Sequence, residues 1–226
     1  FRRVLFRSVG KSVTLKLLIG LLKPDRGHIL FDGEHVERMG PKELQRLRQR
    51  VGMVFQGAAL FDSMTVRENV AYGLREHYKM SEAEIDERVA WSLSLVGLPG
   101  VEPMNPADLS GGMRKRVGLA RTIALQPEVL LYDEPTTGLD PINITRINNL
   151  ILSLKEALNN PAVVVTHDMT TASTVSDRLA MVHKGRVIAS GTFDQFRHSQ
   201  NPIVHDFIHG NAPDDEDMLA LANASS

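Results

Sequence analysis

Two stretches of this chain leave little freedom in how it can fold. "EVLLYDE" (residues 128–134) and "AVVVTHD" (162–168) are unbroken apolar runs, and each ends in acid or histidine. A strand covered on one face alternates apolar and polar residues, whereas a strand covered on both reads as a continuous run. Two such strands call for helices on both faces, hence a parallel sheet in an α/β domain. The segment Ile142 to Leu158 supplies a helix between them. Parallel strands put their C-terminal ends at one edge, and that edge is where α/β sheets bind ligands. The charged residues that close the two runs are therefore the first functional signal.

The remaining segments extend the same pattern. Lys11 to Leu22 reads as a helix with Leu15, Leu18, Ile19 and Leu22 on one face. "HILFDG" is a short strand entering a turn, Gly40-Pro41 starts a helix, and "VGMVF" (51–55) is a further strand. Ser81 and Glu84 form an S-x-x-E capping pattern, followed by a helical face of Ile85, Val89, Leu93 and Val96 expected in the core. Ser110 opens a helix running to about Leu125. "DRLAMVHKGRVIASG" is a hairpin around Lys184-Gly185, and "NAPDDEDMLALANASS" is expected to form a poorly ordered acidic tail. A helix-rich insert thus interrupts an alternation of strand and helix, within a length of 226 residues that suits one domain with a small subdomain.

Composition excludes several classes. A net charge of -1 gives no overall basic field, so nucleic acid is not indicated as a partner. The absence of cysteine rules out a disulfide scaffold and a thiolate metal site. No apolar run reaches the roughly 18 residues of a membrane-spanning helix.

Three motifs carry chemistry. Val9-Gly10-Lys11-Ser12, continuing into Val13, reads as the end of a phosphate-binding loop. In such a loop backbone N–H groups and a helix N-terminus cradle phosphates, the lysine reaches the terminal phosphates, and the serine hydroxyl holds Mg²⁺. Asp133 and Glu134 close the first apolar strand; Asp133 suits a water-mediated Mg²⁺ contact and Glu134 a general base toward an attacking water. "LSGGM" (109–113) places Ser110, Gly111 and Gly112 at a helix start, a second anion site.

With the motifs in this order the chain resembles the ATP-binding-cassette (ABC) ATPases over roughly Val9 to Gly191. The resemblance implies a P-loop NTPase (RecA-like) core of α/β class with an ABC-type helical subdomain, the N-terminal strands missing. The expected divisions are a core of residues 9–72 and 126–190, a helical subdomain of 73–125 with the signature motif, and a C-terminal extension of 191–226. It implies ATP and Mg²⁺ as cofactors. Two subunits pair as a homodimer, with the Ser110-Gly111-Gly112 helix of one capping the nucleotide of the other and Asp140 in "GLD" at the interface. Gln56 corresponds to the glutamine that touches Mg²⁺ and senses the membrane partner, and His167 to the histidine that contacts the γ-phosphate. Glu134, His167 and Gln56 are then the catalytic set, and Ser12, Gln56 and Asp133 the metal set. Met113, where most relatives have glutamine, and "GAALFDSMTVRENVAYGLRE" after Gln56 look like the ATPase of Mla-type phospholipid transporters. That group works with an integral-membrane permease, an Mce-domain protein and a small STAS-like subunit, peripheral to the cytoplasmic face of the inner membrane. A small-solute importer is the nearest rival. ATPases of DNA repair or translation usually carry two cassettes or a long coiled-coil insert.

One departure stands out. The family has glycine where this chain has Leu5 and usually where it has Ser8, and further strands upstream. "RRVLFRS" (2–8) is also the translation of a common short-read sequencing adapter, a seven-residue match. Residues 1–8 are therefore expected to be non-native, fused to a truncated gene, and the chain as written is expected to bind ATP poorly. A genuine N-terminus would instead indicate a nucleotide-dead partner subunit. Elsewhere, Arg114, Lys115 and Arg116 are expected on a solvated face. His205 and His209, four apart, are expected on a surface helix, with no third metal ligand evident.

Overall fold

The computed structural model describes residues 2–6 and 11–209, with side chains from residue 13 onward. Val9 and Gly10 of the phosphate-loop motif, and the acidic tail, lie outside the described residues. The chain runs through β1 (Arg2–Phe6), α1 (Lys11–Leu18), the hairpin of β2 (Leu30–Phe31) and β3 (Glu34–His35), α2 (Pro41–Arg50) and β4 (Val51–Val54). Three helices follow: α3 (Val66–His77), α4 (Glu82–Leu95) and α5 (Gly111–Ile123). Strand and helix then alternate through β5 (Val129–Asp133), α6 (Pro141–Leu158), β6 (Ala162–Thr166) and α7 (Met169–Val175). The hairpin of β7 (Arg178–His183) and β8 (Arg186–Gly191) precedes α8 (Phe193–Arg197) and α9 (Pro202–His209).

The main sheet has the order β4-β5-β6-β1-β7-β8. Every pairing from β4 to β7 is parallel, and β8 closes the edge as an antiparallel hairpin. The two apolar runs behave as their pattern demands. Leu130, Tyr132 and Val164 face one core with α5 and α6, while Leu131 and Val165 face a second core with Leu15 of α1, Ile19 just beyond it and Leu47 of α2. Successive strand residues point to opposite faces, so a strand covered on both sides has no position left for a polar residue.

Two expectations change. The first helix ends at Leu18, not Leu22. Gly20 takes a left-handed φ of +63°, and Arg48 donates to the carbonyls of Ile19 and Gly20 at 3.0 and 2.9 Å, satisfying the helix end. Leu15 and Ile19 are buried, Leu18 half-buried, and Leu22 is exposed. The second change is β1, a segment in which the sequence shows no family pattern. Residues 2–6 lie between β6 and β7, with Leu5 opposite both Val165 and Ala180. Leu5 therefore sits inside a strand. Ladder hydrogen bonds are made by the backbone, and the parallel slot between β6 and β7 accepts a segment on that basis.

The helical region is built on caps. Thr65 and Ser81 each accept from the backbone N–H three residues on, and Glu68 and Glu84 return the contact to the cap N–H at 2.8 and 2.7 Å. Ile85, Val89, Leu93 and Val96 are all buried, as their spacing requires. The boundary expected at 72/73 falls inside α3, which begins at Val66.

Candidate functional site

Parallel pairing brings the strand ends into one row. Phe6 lies opposite Thr166, Asp133 opposite Val165, and Val54 opposite Tyr132. Residues at or just past those ends share one edge of the sheet: Lys11 and Ser12 at the start of α1, Gln56 after β4, Asp133 closing β5 with Glu134 after it, and His167 after β6. For Lys11 and Ser12 the backbone alone fixes this position; Val13, next along α1, is 47% exposed.

Glu134 is the best-defined member. It is buried, and its backbone takes a left-handed φ of +48°, unusual for a side chain of this size. The backbone N–H donates to Val165 O at 2.8 Å, tying the turn to β6. One carboxylate oxygen, Oε2, accepts from the His167 backbone N–H at 3.2 Å and the Thr137 hydroxyl at 3.3 Å, and meets His167 Nδ1 at 2.8 Å. Glu134 and His167 are thus one unit: a buried carboxylate joined to an imidazole whose side chain is 61% exposed. Asp133, beside it, is buried at 7% exposure, and Gln56 is exposed. A carboxylate and an amide oxygen are the hard donors that suit Mg²⁺, so the residues present fit that ion.

A second group gathers at the N-termini of α5 and α6. Ser110 caps α5 by accepting from Met113 N at 3.2 Å; Ser110 and Gly111 are exposed and Gly112 half-buried. Asp140 caps α6, accepting from the Ile142 and Asn143 backbones at 3.1 and 3.0 Å, and these bonds hold its carboxyl below the usual range. Gly112 and Asn143 bring the two helix starts together: a Cβ at Gly112 would lie 3.5 Å from Asn143 Oδ1. This group presents outward and does not converge on Glu134 through any described contact.

The basic run 114–116 is solvated only in part: Arg114 is exposed, whereas Lys115 and Arg116 are half-buried. Arg114 donates to Leu109 O at 2.5 Å, and Arg116 to the carbonyls of Val96 and Gly97 at 3.3 and 3.2 Å. Lys115 Nζ donates to Pro135 O at 3.1 Å and Thr137 O at 2.8 Å, joining the signature helix to the segment that follows Glu134. Burial lowers the Lys115 pKa, and the nearby charge of Glu134 opposes that shift. Helical spacing carried the signal, since Lys115 lies one turn before buried Leu119 on the face turned toward the sheet. His205 and His209 sit on α9 with rings stacked 4.2 Å apart, the surface helix that their spacing suggests.

The chain matches the family model described as "ABC transporter" over residues 8–137. It is 43% identical over 201 residues to the probable ribonucleotide transport ATP-binding protein mkl of Mycobacterium leprae, covering 89% of this chain and 58% of that protein. It is 42% identical over 204 residues to the intermembrane phospholipid transport system ATP-binding protein MlaF of Haemophilus influenzae, covering 90% of this chain and 77% of that one. The chain thus spans little more than half the length of the mycobacterial relatives it matches. Among solved structures, a dimeric ATP-binding cassette bound to ADP and Pi in a post-hydrolysis state superposes with a TM-score of 0.77 at 31% identity, covering 85% of this chain and 84% of that one. The row of strand ends, the matched family model and relatives above 40% identity agree: the chain belongs to the ABC transporter family.

Proposed function

We propose that this chain is the ATP-hydrolysing subunit of a transporter that moves phospholipid. The observation that carries the hydrolytic part is the Glu134–His167 unit at the sheet edge. Glu134 Oε2 is anchored by a backbone N–H and the His167 ring, which holds the carboxylate in place to accept a proton from an attacking water. His167, exposed beside it, reaches toward the terminal phosphate and stabilises charge there. Lys11 and the N-terminus of α1 bind the remaining phosphates. Mg²⁺, held by Ser12, Gln56 and Asp133, would supply charge neutralisation on the phosphates when bound.

Two copies are needed. Ser110, Gly111 and Asp140 face outward from their own sheet edge, which supports a homodimer in which each copy caps the other's nucleotide. Asp133, Glu134 and the α1 start would then belong to one copy and the α5 start to its partner.

The membrane partner would dock beside Gln56. A groove of about 280 Å³ is lined by Phe55, Phe61, Tyr72, Arg121, Thr122 and Leu125. Phe61 and Tyr72 pack at 5.0 Å, and the Arg121 guanidinium lies 5.7 Å from the Phe61 ring. Arg121 also donates to Ala59 O and Ala58 O at 2.8 and 3.2 Å, which ties α5 and the groove to the loop after Gln56. Gly118 makes the approach possible: a Cβ there would lie 2.9 Å from Ala58 O. A permease segment seated in this groove would place the chain peripherally on the membrane; no helix among the described residues is long and apolar enough to cross one. Phospholipid as cargo rests on the MlaF relative and on the residues around Gln56 and Met113. An Mce-domain protein and a STAS-like subunit would complete the assembly.

The test is phosphate release by the dimer with its permease in vesicles, with and without phospholipid acceptor. Mg²⁺-dependent turnover coupled to lipid movement supports the proposal; coupling to ribonucleotide uptake would replace the cargo. We infer further that Leu5 and Ser8 keep turnover of this exact sequence low. Replacing residues 2–8 with a strand and glycine-rich loop should raise it, and unchanged turnover would refute that inference.

A further inference from the structure

The hairpin far from the Glu134 edge carries a feature that ATP chemistry does not use. His28, His35 and Glu37 bring their ligand atoms within 4.8 Å of one another. His28 Nδ1 lies 2.8 Å and His35 Nδ1 2.9 Å from the same oxygen, Glu37 Oε1. The two rings meet edge to face with centroids 4.9 Å apart.

This grouping follows from the backbone. Asp32 and Gly33 both take positive φ, 50° and 81°, the two-residue turn that matches strand twist. Leu30 then lies opposite His35, and Val36 N donates to Ile29 O at 2.9 Å, carrying the pairing one step further. His28 lies two residues before β2 and Glu37 in the single 3-10 turn Val36–Arg38 after β3, and the Ile29–Val36 pairing sets them beside each other next to His35. The turn is held from the far side. Arg50 makes an ion pair with Asp32, a bidentate pair with Glu128 at 2.7 and 2.8 Å, and stacks 4.6 Å over Phe31.

Glu37 is aimed. Its Oε2 accepts from Ile29 N at 3.2 Å, which leaves Oε1 directed at the two imidazoles. Glu37, like any ordinary glutamate, is a carboxylate at neutral pH. Two imidazoles and one carboxylate are the donor set of borderline transition metals such as Zn²⁺, and a poor set for Mg²⁺, which demands oxygen ligands.

We propose that His28, His35 and Glu37 form a divalent transition-metal site, Zn²⁺ in class, that clips the segment before β2 onto the turn after β3. Bonds of about 2.0–2.1 Å in a tetrahedral site separate ligand atoms by roughly 3.3 Å. Glu37 Oε1, 2.8 and 2.9 Å from the two Nδ1 atoms, would move out by about half an ångström, and ligand atoms now up to 4.8 Å apart would draw in toward the same spacing, through rotation of the exposed His28 ring and the half-buried His35 ring. Both rings would bind through Nδ1, with the opposite nitrogen donating to water. Water would fill the remaining position, since the His28 side chain is 60% exposed.

The test titrates the full chain, without nucleotide, with Co²⁺ and follows the visible absorption band, then displaces it with Zn²⁺. One equivalent is expected to bind and to resist excess Mg²⁺. His28→Ala and His35→Ala should each weaken binding by about tenfold or more. His205→Ala should leave it unchanged. Zn²⁺ should also protect His28 and His35 of the wild-type chain from diethyl pyrocarbonate, read by mass spectrometry, which needs no variant to fold. Binding that survives both His28→Ala and His35→Ala, binding lost only with His205→Ala, no binding at all, or no protection would overturn the proposal.

Discussion

Asn69 offers a quantitative test of how the proposed docking groove is held. It lies in α3, is fully buried, and spends its side chain on the loop ahead of that helix. Its Oδ1 accepts from Phe61 N at 2.8 Å, and its Nδ2 lies 3.0 Å from Phe61 O, 3.1 Å from Met64 O and 3.0 Å from Thr65 O. Asn69→Ala removes all of these contacts. A net hydrogen bond is worth about 0.5–1.5 kcal/mol, and a buried donor left unpaired costs about 1–3 kcal/mol. Phe61 and Met64 are partly exposed, so water can re-pair some of the carbonyls. The expected loss is therefore about 2–4 kcal/mol. Urea unfolding followed by the fluorescence of Trp91, the single tryptophan and half-buried in α4, measures it directly. A loss below about 0.5 kcal/mol with an unchanged urea slope would show that the loop is not organised by Asn69, and the argument for a preformed groove would fail with it.

Three further outcomes are expected. Glu134→Gln keeps the fold and ATP binding but should lower phosphate release by about 10²–10⁴-fold in a turnover-competent dimer, assayed by released phosphate. Lys115→Met leaves the carbonyls of Pro135 and Thr137 without their donor and should cost about 1–3 kcal/mol, seen as a lower Tm in calorimetry. Glu82 is held at about 2, below its ordinary 4.5, chiefly by Arg75 and then Arg67. A carboxyl with a depressed folded pKa stabilises above its unfolded value, so this contribution is present at neutral pH and is lost as pH falls from about 4.5 toward 2. Glu82→Gln should flatten the stability profile in that window, and an unaltered slope in acid unfolding would rule the ion pairs out as its source.

What the sequence reveals depends on how local the cause is. β5 and β6 are legible because burial on both faces leaves no polar position, and Leu130 and Leu131 do face opposite cores. The caps at Ser81 and Ser110 are legible because a hydroxyl serves an N–H three residues away. Asp133, Glu134 and His167 are legible because a strand end defines an edge. The end of α1 is not, because it depends on Arg48, far along the chain, capping Ile19 and Gly20. Lys115 is misread for a similar reason: its acceptors are two carbonyls beyond β5. The metal-ligating cluster is invisible in the spacing of His28 and His35 until the turn at Asp32-Gly33 folds one over the other. β1 lies at the limit of such reading, since its place is set by the slot it enters.

That slot has a kinetic consequence. Arg3 pairs with Val163, about 160 residues further on, and with Arg178 beyond that. At roughly 5–20 residues per second of synthesis, β1 leaves the ribosome on the order of ten to thirty seconds before either neighbour exists. The helical region and β4 can collapse in that interval on contacts close in sequence, but the middle of the sheet cannot. Until β6 and β7 arrive, β1 is an unpaired edge open to any other strand. Completion of the sheet is therefore expected to be the slow, concentration-sensitive step in making this protein, and the one at which a second copy can intrude.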